Sequence, residues 1–417
     1  MPKKKRSILQ PEYLSKFKCV GGACTDSCCK GWRVSIDKKT YLKYRRADDK
    51  ELLAMLDKHI KRERKEDVKS DDAYAKVGLV NGDCPFLDAK NLCVIQSKLG
   101  YDGLSDVCAI YPRHYKIVDK KLERGATLSC PEIARLALFN EEGISFERVD
   151  EEPEVGRIPA RAPSLAPNLT KNAAKPVKFF WDTRLFCLSI LQNREYPLGQ
   201  RLTLLGMLCR KIDELDAAGR VEELPAMLER FGADIESGSL KAELDTVEPN
   251  FSIQMRLAKE LTDERLRTEL VSSRAYLDYV VETMAGIGFV VGTEPEAIIK
   301  KYTENRETYV AAYLKDKAYV LENFAVNEYF SHLMPFGSGE TTWDSYLFIC
   351  VLYGMLKLHL NGVAGCRKGL TDETVTRVVQ AFSKTVLHNG KFIPNVIKRL
   401  KENGFDTLAW MAILVGD

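Results

Sequence analysis

Eight of the cysteines in this 417-residue chain fall in its first 130 residues, in two groups. Cys19, Cys24, Cys28 and Cys29 lie within eleven residues, and Cys84, Cys93, Cys108 and Cys130 follow a long charged spacer. Thiolates at this density are soft ligands, and two short groups can converge on a centre as they do in zinc modules and iron–sulphur folds. Tetrahedral zinc and a four-iron cluster each take about four protein ligands. Eight thiols therefore suffice for two sites, one multinuclear site, or one site with structural thiols beside it. The adjacent side chains of Cys28 and Cys29 point in different directions, so they suit two centres, or one ligand and one packed thiol. From the cysteines alone, zinc and iron–sulphur stand level. The plainer reading is a folding staple, with metal replacing apolar core in a small domain. The other four, Cys187, Cys209, Cys350 and Cys366, are isolated, and the first three sit in apolar helical stretches where free cysteine acts as a small hydrophobe.

Positioning these thiols requires tight turns. Gly21, Gly22 and Gly31 supply backbone freedom near the first group, and Pro85, Pro112 and Pro131 limit regular structure near the second. Residues 1–150 are therefore expected to form an irregular, cysteine-rich metal-binding module. Between its two groups, Leu42, Leu52, Leu53, Leu56 and Ile60 recur at roughly helical intervals and predict one or two surface helices. Residues 151–176 carry five prolines without an apolar period, which reads as an extended linker. From 177 to 417 the three-to-four spacing of apolar residues, as in 181–193, 202–215, 296–313 and 346–360, predicts a helical domain. The fold class is mostly α.

Net charge is +3, which gives no reason to expect nucleic acid or an anionic membrane as the main partner. The basic start, Lys3 to Arg6, reads as a solvated tail. The longest apolar run, Tyr346–Leu356, is about half the ~20 residues that span a bilayer. No apolar run follows the basic start as a secretory signal would require. A cytoplasmic address follows, and reducing conditions there shift clustered cysteines from disulfides towards metal or redox chemistry.

The run Phe17, Cys19, Gly22, Cys24, Cys28, Cys29, Gly31, Trp32, Ile36, Asp37, Thr40, Tyr41 and Tyr44 resembles the opening signature of flagellin lysine N-methylases, relatives of the CxxxCC iron- or zinc-chelating proteins. The blocks Cys84-Pro85-Phe86-Leu87, Cys93, Ile95, Leu99-Gly100, Leu104, Cys108, Tyr111-Pro112-Arg113 and Cys130-Pro131-Glu132 extend the resemblance in the same order, and Glu322-Asn323, Asn327, Phe330, Pro335-Phe336 and Leu356-Lys357-Leu358 continue it. The resemblance implies transfer of methyl groups from S-adenosylmethionine to lysine ε-amines of flagellin, with the cysteines associated with a 4Fe-4S cluster (zinc being the alternative). Methyl transfer itself needs a neutral amine aligned with the sulphonium, and no metal. The radical spacing CxxxCxxC is absent, because Cys29 directly follows Cys28.

If Cys108 is a ligand, Tyr111, Arg113 and His114 start near the centre. Arg113 could hold a methionine carboxylate, against the plainer reading of an ion pair bracing the loop, and Tyr111 or His114 could take a proton from lysine. Asp37 reads as a helix-start residue. Glu322 and Asn323, among Tyr319, Phe324, Tyr329 and Phe330, suit either a lysine-steering lining or ordinary core. His332, His359 and His388 have no ligand spacing. The segment Gly286-Ile287-Gly288-Phe289-Val290-Val291-Gly292 is one residue too long for GxGxxG and follows a helical pattern, and 336–339 reads as a turn. Two competitors remain: a non-enzymatic iron- or zinc-binding protein, and a flagellar-assembly scaffold with a structural metal. The sequence leaves self-association open.

Overall fold

A computed structural model describes residues 5–32, 34–63, 71–152, 157–158, 162–268 and 271–417. Lys3 and Lys4 of the basic start, residues 64–70 of the charged spacer, and 153–156 and 159–161 of the proline-bearing segment lie outside the described residues. The protein is mostly helical, 59% helix against 10% strand. The chain divides into two compact units, the first comprising Met1–Ala134, Ser145–Ser164 and Ser272–Arg274, the second Arg135–Ile144, Leu165–Val271 and Ala275–Asp417.

The first unit is more regular than expected. It contains the strands β1 (Arg6–Pro11), β2 (Ser35–Ile36), β3 (Ile60–Arg62), β4 (Ala75–Val77), β5 (Arg113–Val118), β6 (Lys121–Ala126) and β7 (Phe146–Glu151), joined by Ser164 of β8 (Ser164–Leu165). One sheet runs β7-β1-β6-β5-β8 and a smaller one β2-β4-β3. The irregular module is corrected on this point: the larger sheet was hidden because its strands mix charge with apolar residues, as in Arg113–Val118, where only Tyr115 and Val118 are buried. The β5–β6 hairpin turns on Asp119 and Lys120, both left-handed at φ 47° and 66°, as a two-residue turn of primed type requires.

β1 runs parallel to β6, with Ile8 opposite Leu122. Parallel neighbours cannot be joined by a hairpin and need a crossover. Here the crossover carries seven of the eight clustered cysteines, and Cys130 follows β6 directly. Gln10 of β1, which is fully buried, accepts from Arg124 Nε of β6 at 2.7 Å and donates to Glu147 of β7 at 2.8 Å, tying the three strands together. Within the crossover the helices Lys38–Tyr44 and Lys50–His59 form as expected, and Leu52 and Leu56 are buried. Leu42 stays exposed, and Ile60 begins β3 instead of extending the helix. These elements pack with Val34, Ile36, Tyr44, Val77, Phe86 and Ile95 into a local core, against which Cys84 and Cys93 lie partly buried.

In the second unit the 26-residue helix Thr342–Arg367 is central. By length and composition it could cross a membrane, but 94% of its apolar window is buried inside the protein, as in a core helix. The Thr341 side chain accepts from Asp344 N and starts it, and Lys368 in the left-handed region ends it. Around it lie helices that include Phe180–Leu191, Leu198–Ala217, Phe251–Thr268, Arg274–Gly286, Pro295–Asn305 and Leu408–Val415. A Cβ on Gly286 would stand 1.7 Å from the Gly362 carbonyl, so the first glycine of the 286–292 segment serves close helix packing. His359 is also structural: Tyr276 Oη and Thr283 Oγ1 lie 3.1 Å from its two ring nitrogens, and burial pushes its pKa down to about 4. Cys187, Cys209 and Cys350 are buried, and Cys366 is exposed.

Candidate functional site

The thiols are brought together by backbone pairing in loops. Asn81 and Gly82, at φ 53° and 88°, make a tight turn in which Val80 and Asp83 exchange both amide bonds. That turn pairs with the first cysteine loop: Gly31 N donates to Gly82 O at 2.9 Å, and Cys84 N to Cys29 O at 2.8 Å. The Cys29 side chain lies close enough to those of Cys28 and Cys84 to raise both thiols. Cys93 stands at the start of helix Val94–Leu99 and is bridged to Leu87. Cys108 lies in helix Asp106–Ile110, where its amide donates to the Ser105 cap at 3.3 Å. Burial pushes the Cys108 thiol up to about 12, with Cys29 and Cys93 adding to the rise, although the residue is still open to solvent. The Cys28 and Cys84 thiols are raised further, first by the neighbouring Cys29 and then by burial.

A second group forms around Cys130, whose thiol is pushed up to about 11 mainly by burial, with Cys24 and Cys19 near enough to contribute. Among the described residues no set of three or more Cys, His, Asp or Glu is arranged to hold a metal ion as it stands. The sulphurs gather without closing on one point. As a donor set they still suit a soft metal: neutral thiols that raise one another are the state a cation would reverse by favouring thiolates.

Asp37 is the helix-start residue the sequence suggested, and it does more. One carboxylate oxygen accepts from Thr40 N at 2.8 Å and the other from Asp106 N at 3.2 Å, so a single side chain caps the Lys38 helix and anchors the Cys108 helix. Arg157 adds a second anchor, donating to Leu104 O at 2.6 Å and Asp106 Oδ1 at 3.2 Å.

Tyr111 lies between the two thiol groups. Its hydroxyl is 3.1 Å from Ser129 Oγ and its ring is 5.7 Å from that of Trp32, whose indole donates to Cys28 O at 2.5 Å. Burial, with Cys130 and Cys28 nearby, holds its pKa well above the ordinary phenol value. Arg113 lies over the Phe17 ring, 4.9 Å from its centre, and forms no ion pair among the described residues. His114 on β5 faces Gly125, where a Cβ would stand 2.3 Å from the ring. Ser129 was not singled out in the sequence, and Trp32 only as part of the opening signature. The Asn-Gly turn before Cys84 was a readable signal that this loop folds back.

Glu322 lies elsewhere, in the second unit, and is almost fully buried. Arg194 Nη2 reaches its Oε1 at 3.0 Å and Arg201 Nη1 its Oε2 at 2.6 Å, so both oxygens are engaged. Asn323 donates to the Leu138 and Asn140 carbonyls at 3.1 and 2.8 Å. Phe324, Tyr329 and Phe330 are buried. This segment is core, not an open lysine-steering lining.

The described residues thus form a unit with two sheets that gathers the clustered thiols, and a helical unit. Residues 184–414 match the FliB lysine N-methylase C-terminal domain family, and the chain belongs to the flagellin lysine N-methylase family. It is 24% identical to a lysine-N-methylase of Salmonella typhimurium over 95% of this chain and 96% of the relative, and to one of Salmonella choleraesuis over the same extents. It is also 30% identical to the flagellar biosynthetic protein FliU of Salmonella muenchen, over 34% of this chain and 83% of the relative. No solved structure matches the chain.

Proposed function

We propose that this protein is a cytoplasmic, S-adenosylmethionine-dependent methyltransferase acting on lysine ε-amines of flagellin, with a 4Fe-4S cluster held by a subset of Cys19, Cys24, Cys28, Cys29, Cys84, Cys93, Cys108 and Cys130. The observation that carries the reading is the likeness to lysine N-methylases along almost the whole chain, helical unit and cysteine blocks together. The flagellar name of the third relative supports the choice of substrate.

Cys28, Cys29, Cys84, Cys93 and Cys108 would supply one set of ligands, and the group around Cys130 would add others. Such a cluster supplies electron transfer, or an open iron position for a small ligand. The chain's own groups have simpler tasks. Arg113 presents a planar guanidinium, braced on Phe17 and free of any ion pair among the described residues, that suits a carboxylate such as that of the methionine moiety. Tyr111 stays a neutral phenol and donates or accepts one hydrogen bond beside the thiols.

Iron, acid-labile sulphide and the visible spectrum, measured on protein purified without oxygen, test the cluster. Mass spectrometry of flagellin peptides after incubation with S-adenosylmethionine tests the reaction. Iron with matching sulphide and methylated lysines support the proposal. Zinc without sulphide would leave the cysteines a structural role. If Cys24→Ser with Cys28→Ser keeps both metal and methylation, the ligand assignment is overturned.

A further inference from the structure

The second unit holds a cavity of about 580 Å³ that the cysteine chemistry leaves unused. Val310, Leu314, Leu321 and Leu360 give it an apolar wall. Tyr302 and Tyr353 also line it, and their hydroxyls are engaged: Tyr302 Oη donates to Gln254 Oε1 at 2.9 Å and Tyr353 Oη to Asp417 Oδ1 at 3.3 Å, so both add ring surface. Charge interrupts this surface. Arg194, Arg201, Lys241, Arg306 and Lys357 line the cavity together with Glu195 and Asp417.

Most of these charges already have partners. Arg194 and Arg201 share the two oxygens of Glu322, and Lys241 lies 3.4 Å from Asp245. Asp417 is held from three sides: Gly199 N donates to its Oδ2 at 2.7 Å, Tyr353 bonds Oδ1, and Lys357 Nζ lies 3.6 Å from Oδ1. Lys357 also donates to the Val415 carbonyl at 3.3 Å and to that of Gly416. Burial holds its pKa below the ordinary lysine value, Asp417 opposes this, and Arg306 adds to it. Glu195 is exposed and pairs with none of these cations. Arg306 is the cation left over. It forms no ion pair among the described residues, and its guanidinium is braced on Phe251, 4.4 Å from the ring centre.

The backbone that presents Arg306 is also unusual. Arg306–Val310 forms one π-helical turn between the helices Pro295–Asn305 and Ala311–Leu314. Such turns are rare and concentrate at functional sites. Here the two ends of the turn, Arg306 and Val310, both reach the cavity. A planar guanidinium without a partner, set in apolar surface, selects a planar anion, because two parallel N–H donors match the two oxygens of a carboxylate. Asp417 and Glu195 in the same lining disfavour a second negative charge on the ligand.

We propose that this cavity binds a small organic monocarboxylate, its carboxylate held by Arg306 and its apolar body lying along Val310, Leu314, Leu321 and Leu360. Binding of such an anion does not depend on methyl transfer, and it is measured without it.

The test is calorimetric titration of the full chain at pH 8 with 4-phenylbutyrate, 4-phenylbutan-1-ol and 3-phenylpropyl phosphate. The carboxylate is expected to bind at one site, and the neutral alcohol and the dianionic phosphate about tenfold or more less tightly. Arg306→Gln should weaken 4-phenylbutyrate by a similar factor, and Arg306→Lys should restore part of the loss. Leu314→Trp, which fills the wall and keeps the guanidinium, should also remove binding. No binding of 4-phenylbutyrate to the wild type overturns the proposal, as does unchanged affinity in Arg306→Gln. Equal affinity for the alcohol would make the cavity a purely apolar slot, and tighter binding of the phosphate would make it a phosphate site; either result overturns the monocarboxylate assignment. The comparison of the three ligands uses the wild type alone and so stands even if a variant fails to fold.

Discussion

The amide of Cys84 donates to the carbonyl of Cys29 across 2.8 Å, and this one bond joins the two cysteine groups that the sequence keeps more than fifty residues apart. The Cys29 side chain is the neighbour that most raises the thiols of both Cys28 and Cys84. Cys29→Ser should therefore lower bound metal severalfold. Cys187→Ala, which removes a buried thiol in the helical unit, should leave metal unchanged and cost about 1 kcal/mol of stability. Metal analysis and urea unfolding of the two variants separate these outcomes.

Asp37 serves two helix starts at once. Loss of one cap costs about 1 kcal/mol, so Asp37→Ala should lose about 2 kcal/mol and loosen the Cys108 helix, with Asp37→Asn retaining part of this. Hydrogen exchange at the amides of Thr40 and Asp106 reads both ends of the relationship. Equal protection in wild type and Asp37→Ala would show that the double cap contributes nothing.

Glu322 joins Arg194 and Arg201 in the helical unit. Removing one partner of a buried ion pair costs about 3–5 kcal/mol, and Glu322→Gln is expected near the lower end because the amide oxygen still accepts. The loss should appear as a lower urea midpoint, with no displacement of the pH–rate profile in the folded fraction. A displaced profile would mean that Glu322 takes part in proton transfer.

His359 makes stability depend on pH. Its pKa in the folded protein is about 4, against 6.5 for the free side chain, so the unfolded chain binds the extra proton between these values. Stability from this group is complete above about pH 6.5 and is lost as pH falls to about 4, by a total of about 3 kcal/mol. His388, with the same depressed value, steepens the same limb. Chemical unfolding between pH 4 and pH 7 should show a shallower slope in His359→Gln than in the wild type.

Much of the helical unit was legible because its helices bury stripes of apolar residues. The spacing in 202–215 and 346–360 falls inside the helices Leu198–Ala217 and Thr342–Arg367. The length of the second helix was not legible, because Asp344, Lys357 and His359 interrupt the apolar run and only tertiary partners explain their burial. In the first unit, clustering identified the thiols, but the pairing of residues 29 and 84 depends on a turn and a register that no periodicity announces. The sheet was obscured for a related reason: β1 finds its parallel partner beyond seven of the eight clustered cysteines, and local pattern carries no trace of so distant a neighbour.

The crossover between β1 and β6 also bears on how this region tolerates change. Its ends are tied by the sheet, Ile8 to Leu122, so everything between them is one long closed excursion. Doubling such a loop costs only about 0.6 kcal/mol in closure entropy. Insertions at exposed positions of the charged spacer, away from Leu52, Leu56 and Ile60 in the local core, should therefore leave the strand pairing nearly undisturbed, and such positions can carry a tag as a handle on the thiol-bearing loops.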